Sequence, residues 1–366
     1  MIAAWVLVLA AAGCGAGRHE APDANALDDA GRDAGRDAGE DAAIDAGRPC
    51  ANPPAIVGTY ELDQPVVGVA AQGAIVLVAS SNPALLVLDA SDPGNIVEVT
   101  DRYPDRDGSY VLWSGDRAIM GLRADIREDC MVLDMSSPLS PSDLGALPEN
   151  PAVAHLATPF AYGGTGLVDL LVFDVAERSG PTLIARSRVP GGYETSALAI
   201  GDDVAFIGEE TMGGEVYQVH AIDISDPSAP AYAGVLVPPG IDVGGWFLLA
   251  LPNDLLYYRE DGLKLLDVSD IADPRPVGTV DEPEGFLVGL VANLLFYANP
   301  DPDSPDGTIM GIAPLEDLLA PRIEWTVRLP GGFWLPAVAD GVAYVAAVTP
   351  GPSDTLFVVD LGCAVQ

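Results

Sequence analysis

Leu85-Leu-Val-Leu-Asp89-Ala-Ser-Asp-Pro93 sets the pattern that organises the whole chain: an apolar run, an Asp, then a Ser/Asp/Pro turn. The run recurs as Met131-Val-Leu-Asp134, Leu171-Val-Phe-Asp174, His220-Ala-Ile-Asp223, Lys264-Leu-Leu-Asp267 and Phe357-Val-Val-Asp360. A degenerate copy, Ile309-Met-Gly-Ile-Ala-Pro314, places Ala313 at the Asp position. The intervals between copies are 45, 40, 49, 44, 46 and 47 residues. The turn is fullest in Ser91-Asp92-Pro93 and Ser225-Asp226-Pro227.

Working outward, each copy sits in a unit of four short runs. In the fourth unit these are Ala197–Ile200, Val204–Gly208, Val216–Asp223 and Ala231–Val237, split by Gly-Asp-Asp, a loop and a Ser/Asp/Pro turn. Runs of four to eight apolar or β-branched residues between turn residues read as strands. Four strands per unit at a period of 40–50 residues is the signature of a β-propeller. Seven units predict an all-β chain with seven four-stranded blades; an eighth, unrecognised blade is the alternative. Immunoglobulin-like modules run nearer 100 residues and do not fit the period.

The repeat resembles the LVIVD-repeat family of bacterial and archaeal surface proteins, over residues 53–363. Asp89, Asp223 and Asp267 match it best and Ala313 departs from it. The resemblance implies a propeller-like fold and carries no catalytic residue. The repeated Asp is expected to bond backbone N–H groups of its own turn.

Composition sets further bounds. Of 366 residues, 54 are acidic and 17 basic, giving a net charge of −37. The hydrophobic share is 49%, enough for a folded core over most of the length. The charge excludes nucleic-acid binding by phosphate neutralisation. It favours cations, neutral glycans or basic protein surfaces as partners.

The first segment is an address. Residues 1–13 are uncharged and mostly apolar, too short to span a bilayer and of signal-peptide type. The run Leu9-Ala-Ala-Ala-Gly-Cys14 resembles a bacterial lipobox, although Ala11 stands where Leu is usual and no Lys or Arg precedes it. Lipidation at Cys14 is expected, with a membrane as partner through the lipid chains. No Asp follows the Cys, which points to the outer membrane or surface of a Gram-negative bacterium. Residues 14–49 then form a tether. Asp29-Ala-Gly-Arg32-Asp33-Ala-Gly-Arg36-Asp37-Ala-Gly-Glu40 has a four-residue period and no apolar face, so a disordered stalk is expected. Residues 50–366 are the propeller.

The chain ends belong together. The last unit lacks a fourth strand, and Pro54-Ala-Ile-Val-Gly58 matches Pro230-Ala-Tyr-Ala-Gly234. Residues 54–62 should therefore pair with residues 356–360 and cover an open edge. Aligned on the Asp, Cys363 falls where Asp226 stands; aligned on the Pro, so does Cys50. A Cys50–Cys363 disulfide is expected, as an exported chain permits. Cys130 is expected to be buried as a small apolar residue. The terminal Cys363-Ala-Val-Gln366 matches a prenylation pattern, which the export signal argues against.

Chemistry is sparse. His19, His155 and His220 show no paired spacing, so no zinc site is expected. No serine-hydrolase or phosphate-loop motif occurs. No cofactor is expected, apart from a loose calcium candidate at Asp301, Asp303 and Asp306, before Gly307. The better candidate is a face. Blade-to-blade loops repeat a turn plus an aromatic, in Pro190-Gly-Gly-Tyr193-Glu194, Pro283-Glu-Gly-Phe286 and Pro330-Gly-Gly-Phe333-Trp334. Tyr110, Trp113, Asp242 and Trp246 are placed with them. Such loops ring one mouth of a propeller channel, where the aromatics either cap the ends of the sheets or bind a ligand. The first functional reading is a monomeric, membrane-anchored binding or scaffold module without catalysis, its protein or glycan partner open. An envelope-assembly scaffold is one variant. The alternative is a cell-envelope hydrolase or lyase using carboxylates at the channel mouth.

Overall fold

The computed structural model describes residues 52–365 apart from 125–126, 152, 166–168, 191–193, 211–216, 238–247, 261, 284, 305 and 349–352. It is a seven-bladed β-propeller of antiparallel sheets. Strand β1 (Ala55–Leu62) comes first. Blade 1 is β2 (Val66–Gln72), β3 (Ile75–Ser80), β4 (Leu85–Asp89) and β5 (Val97–Arg102). Blade 2 is β6 (Asp107–Ser114), β7 (Arg117–Ala124), β8 (Arg127–Asp134) and β9 (Ser142–Ala146). Blade 3 is β10 (Val153–Ala157), β11 (Phe160–Gly164), β12 (Asp169–Asp174) and β13 (Thr182–Arg188). Blade 4 is β14 (Glu194–Ile200), β15 (Val204–Glu210), β16 (Tyr217–Asp223) and β17 (Ala231–Val237). Blade 5 is β18 (Leu248–Leu251), β19 (Leu255–Glu260), β20 (Gly262–Asp267) and β21 (Arg275–Thr279). Blade 6 is β22 (Phe286–Val291), β23 (Leu294–Pro300), β24 (Thr308–Pro314) and β25 (Trp325–Leu329). Blade 7 has a split inner strand, β26 (Gly332–Phe333) and β27 (Ala337–Ala339), then β28 (Val342–Val348) and β29 (Asp354–Asp360). Its outermost strand is β1, paired antiparallel to β29 from Ala55 opposite Asp360 to Leu62 opposite Asp354.

Both faces of a blade are covered by its neighbours, which explains the continuous apolar runs of middle strands such as Leu85–Leu88. The buried side chains fall into seven clusters, one for each blade-to-blade interface. Leu77, Leu85 and Val87 of blade 1 meet Val111, Met120 and Leu133 of blade 2. The opposite face of blade 1 sends Val76, Val78 and Leu88 against Tyr344, Leu356 and Val358 of blade 7. An open array of seven blades has six interfaces; the seventh closes the ring.

Outer strands read differently, with exposed residues along β5 and β21. An exposed edge invites pairing with other chains, and a bulge is one defence. In six blades the outer pairing slips by one residue just before the repeat Asp. It leaves Val57, Val99, Leu144, Ile184, Ala233 and Val277 unpaired. Gly58 follows one such bulge because the next blade's turn presses on it. A Cβ there would lie 1.9 Å from the carbonyl oxygen of Pro93.

Blade 6 corrects one detail of the sequence alignment. The first residue of each second strand faces the repeat Asp, as Ile75 faces Asp89 and Val342 faces Asp360. In blade 6 Leu294 faces Pro314, so Pro314 and not Ala313 holds the Asp position. Ala313 is a fully buried core residue one place earlier. Without the Asp the following turn is longer, and Asp317 holds it by accepting the N–H groups of Leu319 and Ala320 at 3.1 and 3.0 Å.

Candidate functional site

The strand directions give the ring two unlike ends. Hairpins between first and second strands share one end with the turns after the repeat Asp; this is the turn end. Blade-to-blade connections and the second-to-third strand loops share the other, the loop end.

At the turn end the acids are structural. Asp89, Asp134, Asp174 and Asp223 each accept the N–H group two residues on, at 2.9 Å. Asp267 and Asp360 do the same at 3.0 and 2.9 Å. The next residue seals the turn against its own blade. Ala90 N–H donates to the Ala74 carbonyl at 2.8 Å, Ile224 to Asp203 at 2.8 Å and Leu361 to Gly341 at 2.9 Å. The bonds from Ser91 and Ser136 hold the carboxyls of Asp89 and Asp134 below the usual range. Ser225, Ser228 and Ser269 do so for Asp223, Asp226 and Asp267.

Among the described residues, the aromatic candidates differ in placement. Tyr110 is buried in the wall at 3% exposure, its hydroxyl 3.0 Å from Cys130 Sγ. Gly121 makes room for that ring, since a Cβ on it would lie 2.6 Å from Tyr110 Cε1. Cys130 is fully buried. Trp113 lies at the opposite end of β6 from the blade-to-blade loop, so it belongs to the turn end; its indole N–H donates to the Gly115 carbonyl at 3.0 Å. Phe333 and Trp334 lie together at the start of blade 7, both half-buried. Trp334 donates its indole N–H to the Val66 carbonyl at 2.7 Å, while the Val66 N–H donates to the buried Asp354 carboxylate at 2.7 Å. Both backbone groups of Val66 thus tie blade 1 to blade 7. Phe286 opens β22 at the loop end and is 45% exposed, the fullest exposure among the described aromatic candidates. Glu194 opens β14 at the same end. Tyr193, Asp242, Trp246, Cys14, Cys50 and the Glu194 side chain lie outside the described residues. Cys363 sits in a 3-10 turn, Gly362–Val365, at the turn end.

The acidic loop at Asp301 is already neutralised in part. Arg328 Nη1 lies 2.8 Å from Asp303 and 3.4 Å from Asp301. Asp301 also accepts the Asp303 N–H at 3.0 Å. Among the described residues no group of three His, Cys, Asp or Glu side chains is placed to hold a metal ion.

Two polar features had no motif in the sequence. His220 Nε2 lies 2.7 Å from Glu209 Oε2 and its Nδ1 3.3 Å from the Tyr232 hydroxyl. This pair is embedded between blades 3 and 4, with His220 at 0% and Glu209 at 4% exposure. Its partners meet across strands, eleven residues apart, which no local spacing reveals. The second is Arg117, buried at 3% exposure and bonded to the turn of the next blade.

The buried histidines give a pH prediction. Burial pushes His155 down to about 4, and pushes His220 down against the opposing pull of Glu209. In the unfolded chain both titrate near ~6.5. Below that pH the unfolded state takes up protons that the native state refuses, so stability falls as pH drops from about 6.5 towards 4. A shift of His155's size is worth about 3 kcal/mol. Asp89, Asp134, Asp223, Asp226 and Asp267 behave differently. Their contribution is complete above the unfolded value of about 3.9 and is lost only below it. Urea midpoints should therefore decline in two stages. The substitution His155→Leu should flatten the upper stage; an unchanged slope between pH 6.5 and 4 refutes the assignment.

No protein-family model matches the chain, and no curated protein matches it. Solved structures do. The WD40 β-propeller domain of Doa1 is 11% identical, with a TM-score of 0.55, covering 83% of this chain and 96% of that one. A chain of the mitotic checkpoint complex is 12% identical at a TM-score of 0.54, covering 87% and 95%. The computationally designed Ika8 protein is 12% identical at 0.54, covering 81% and 98%. At such identities the likeness is one of fold.

Proposed function

We propose that this chain is an exported, lipid-anchored binding or scaffold propeller, of the LVIVD-repeat kind, with its loop end as the binding face. One observation carries the reading: the described chain begins at the turn end, opposite the loop end. A Cβ on Gly362 would lie 2.0 Å from the Asn52 carbonyl oxygen, so the segment leading back to Cys14 leaves the ring beside Gly362. A lipid at Cys14 would then tether the ring from its turn end through a flexible stalk, and would leave the loop end, where Phe286 is exposed, clear of the attachment point. The proposed partner is a basic protein surface or a neutral glycan, since the domain is strongly acidic. The one His–Glu pair among the described residues is sealed in the wall, out of a substrate's reach. No cofactor is invoked, as Arg328 already serves Asp301 and Asp303.

Growth with radiolabelled fatty acid in a Gram-negative host tests the anchor. The parent chain should carry label and fractionate with the envelope; Cys14→Ser should lose the label and most of the membrane association. An unlabelled parent, or a variant that is labelled as well as the parent, defeats the proposal.

A further inference from the structure

We infer that Cys50 and Cys363 form a disulfide that locks the ring where its two chain ends meet. The inference rests on the exported reading for its oxidant, and on the structure for its geometry.

The geometry starts from β1 and β29. Their pairing ends at Ala55 opposite Asp360, at the turn end. Beyond that pair the two chains stay together. Leu361 is fully buried and donates its N–H to the Gly341 carbonyl at 2.9 Å. Gly362 has φ +56° and donates its N–H to Asp360 Oδ1 at 2.9 Å. The Asn52 backbone packs directly on it, with the Asn52 carbonyl oxygen 2.0 Å from where a Gly362 Cβ would stand. A side chain at 362 would push residue 52 away, so the glycine is what lets the chain ends touch. Cys363 is the next residue after Gly362, and Cys50 is two residues before Asn52. Two residues of chain span at most about 7 Å. A disulfide needs Cα atoms within about 4.4–6.8 Å. The contact at 52 and 362 thus permits the two cysteines to pair, since the chain from each contact residue to its cysteine is short. Cys130, fully buried in the wall between blades 2 and 3, competes for neither.

The chemistry balances simply. The two thiols lose two protons and two electrons and form one S–S bond. An external disulfide, a protein donor of the export compartment or oxidised glutathione, takes the electrons and leaves as two thiols. The bond would close residues 50 to 363 into one covalent ring. It would act mainly by restricting the unfolded chain, which is a large effect for a loop this long.

The test uses the full chain. Protein isolated from the envelope is alkylated, denatured and digested without reduction. One peptide pair joining Cys50 to Cys363 is expected, with Cys130 recovered as a free thiol. The same chain is then reduced and exposed to oxidised glutathione. Free thiols at both positions after that treatment overturn the inference, as does any pairing through Cys130. A cross-link formed with glutathione but missing from the envelope sample upholds the geometry and counts instead against export. Thermal unfolding gives an independent readout. Cys50→Ser, Cys363→Ser and the double variant should share one melting temperature, about 10 °C below the oxidised parent. Reductant should bring the parent to that value and leave the variants unmoved. A parent whose melting temperature ignores reductant overturns the inference.

Discussion

A chain lacking residues 55–62 is expected to lose its single cooperative unfolding transition. Strand β1 is the outer edge of blade 7 and pairs with all of β29. Its removal uncovers a long row of unpaired backbone groups on β29, whose residues Leu356, Val358 and Val359 are now fully buried. It also takes Leu62, at 1% exposure, out of the cluster shared by blades 7 and 1. An uncovered apolar edge favours aggregation. The expected result is a broad or multiphasic urea transition and a loss exceeding about 5 kcal/mol, which is comparable with the whole stability of many domains. A point substitution tests the same seam. Gly58→Val drives a side chain into the Pro93 carbonyl, and both atoms nearest to it are backbone that cannot rotate away. About 3 kcal/mol of destabilisation is expected. The control is Gly332→Ala, where nothing lies within 4 Å of the added carbon; it should change stability by under about 0.5 kcal/mol. Equal effects at both sites, or a truncated chain that unfolds like the parent, argue against closure by β1.

Arg117→Ala is expected to cost about 3–5 kcal/mol, as when one partner of a buried charged network is removed. In the six blades that keep the repeat Asp, the second strand opens with a residue facing it, and outside blade 2 that residue is apolar: Ile75, Phe160, Val204, Leu255 and Val342. Blade 2 has Arg117 opposite Asp134. Its Nε donates to the Val175 carbonyl at 2.6 Å and its Nη2 to that of Ala176. Its Nη1 donates to the Asp116 carbonyl at 2.8 Å and lies 2.8 Å from the Asp116 carboxylate and 3.6 Å from that of Asp134. One guanidinium therefore fastens blade 2 to the Asp174 turn of blade 3. Alanine leaves the carbonyl of buried Val175 without its donor and Asp134 without its closest cation. Hydrogen bonds to a charged group contribute about 1.5–3 kcal/mol each, so the estimate follows from two of them. Arg117→Lys keeps the charge and loses the fork, and should recover about half. Urea titration of the three proteins decides it. A lysine variant as stable as the parent means that charge alone matters and that the forked contacts contribute nothing.

What the sequence disclosed follows from what repeats. Seven copies of one apolar run, six of them closed by a turn Asp, make a pattern that noise in any one copy cannot hide. The Asx bond recurs at 2.9–3.0 Å from Asp89 to Asp360 for the same reason. The closing strand was legible because Pro54–Gly58 copies Pro230–Gly234 around a bulge. Blade 6 was misaligned by one residue because it lacks the Asp that sets the register; only its pairing with Leu294 places Pro314 there. The candidate face was less legible. Loop aromatics look alike in sequence, yet Tyr110 turns inward over Gly121, Trp113 lies at the far end of its strand, and Trp334 bonds to Val66. Side-chain direction depends on bulges and on neighbours a whole blade away. Arg117 and the His220–Glu209 pair were invisible for the same reason, since their partners come from other strands or the next blade.

Hydrogen exchange of the backbone amides of residues 55–62 tests ring closure most directly. If β1 completes blade 7, those amides that bond to β29 exchange only with global unfolding, at the rate of the β28 and β29 amides. Exchange as fast as in an unstructured peptide of the same sequence, with β29 itself protected, would show an open ring and contradict the account.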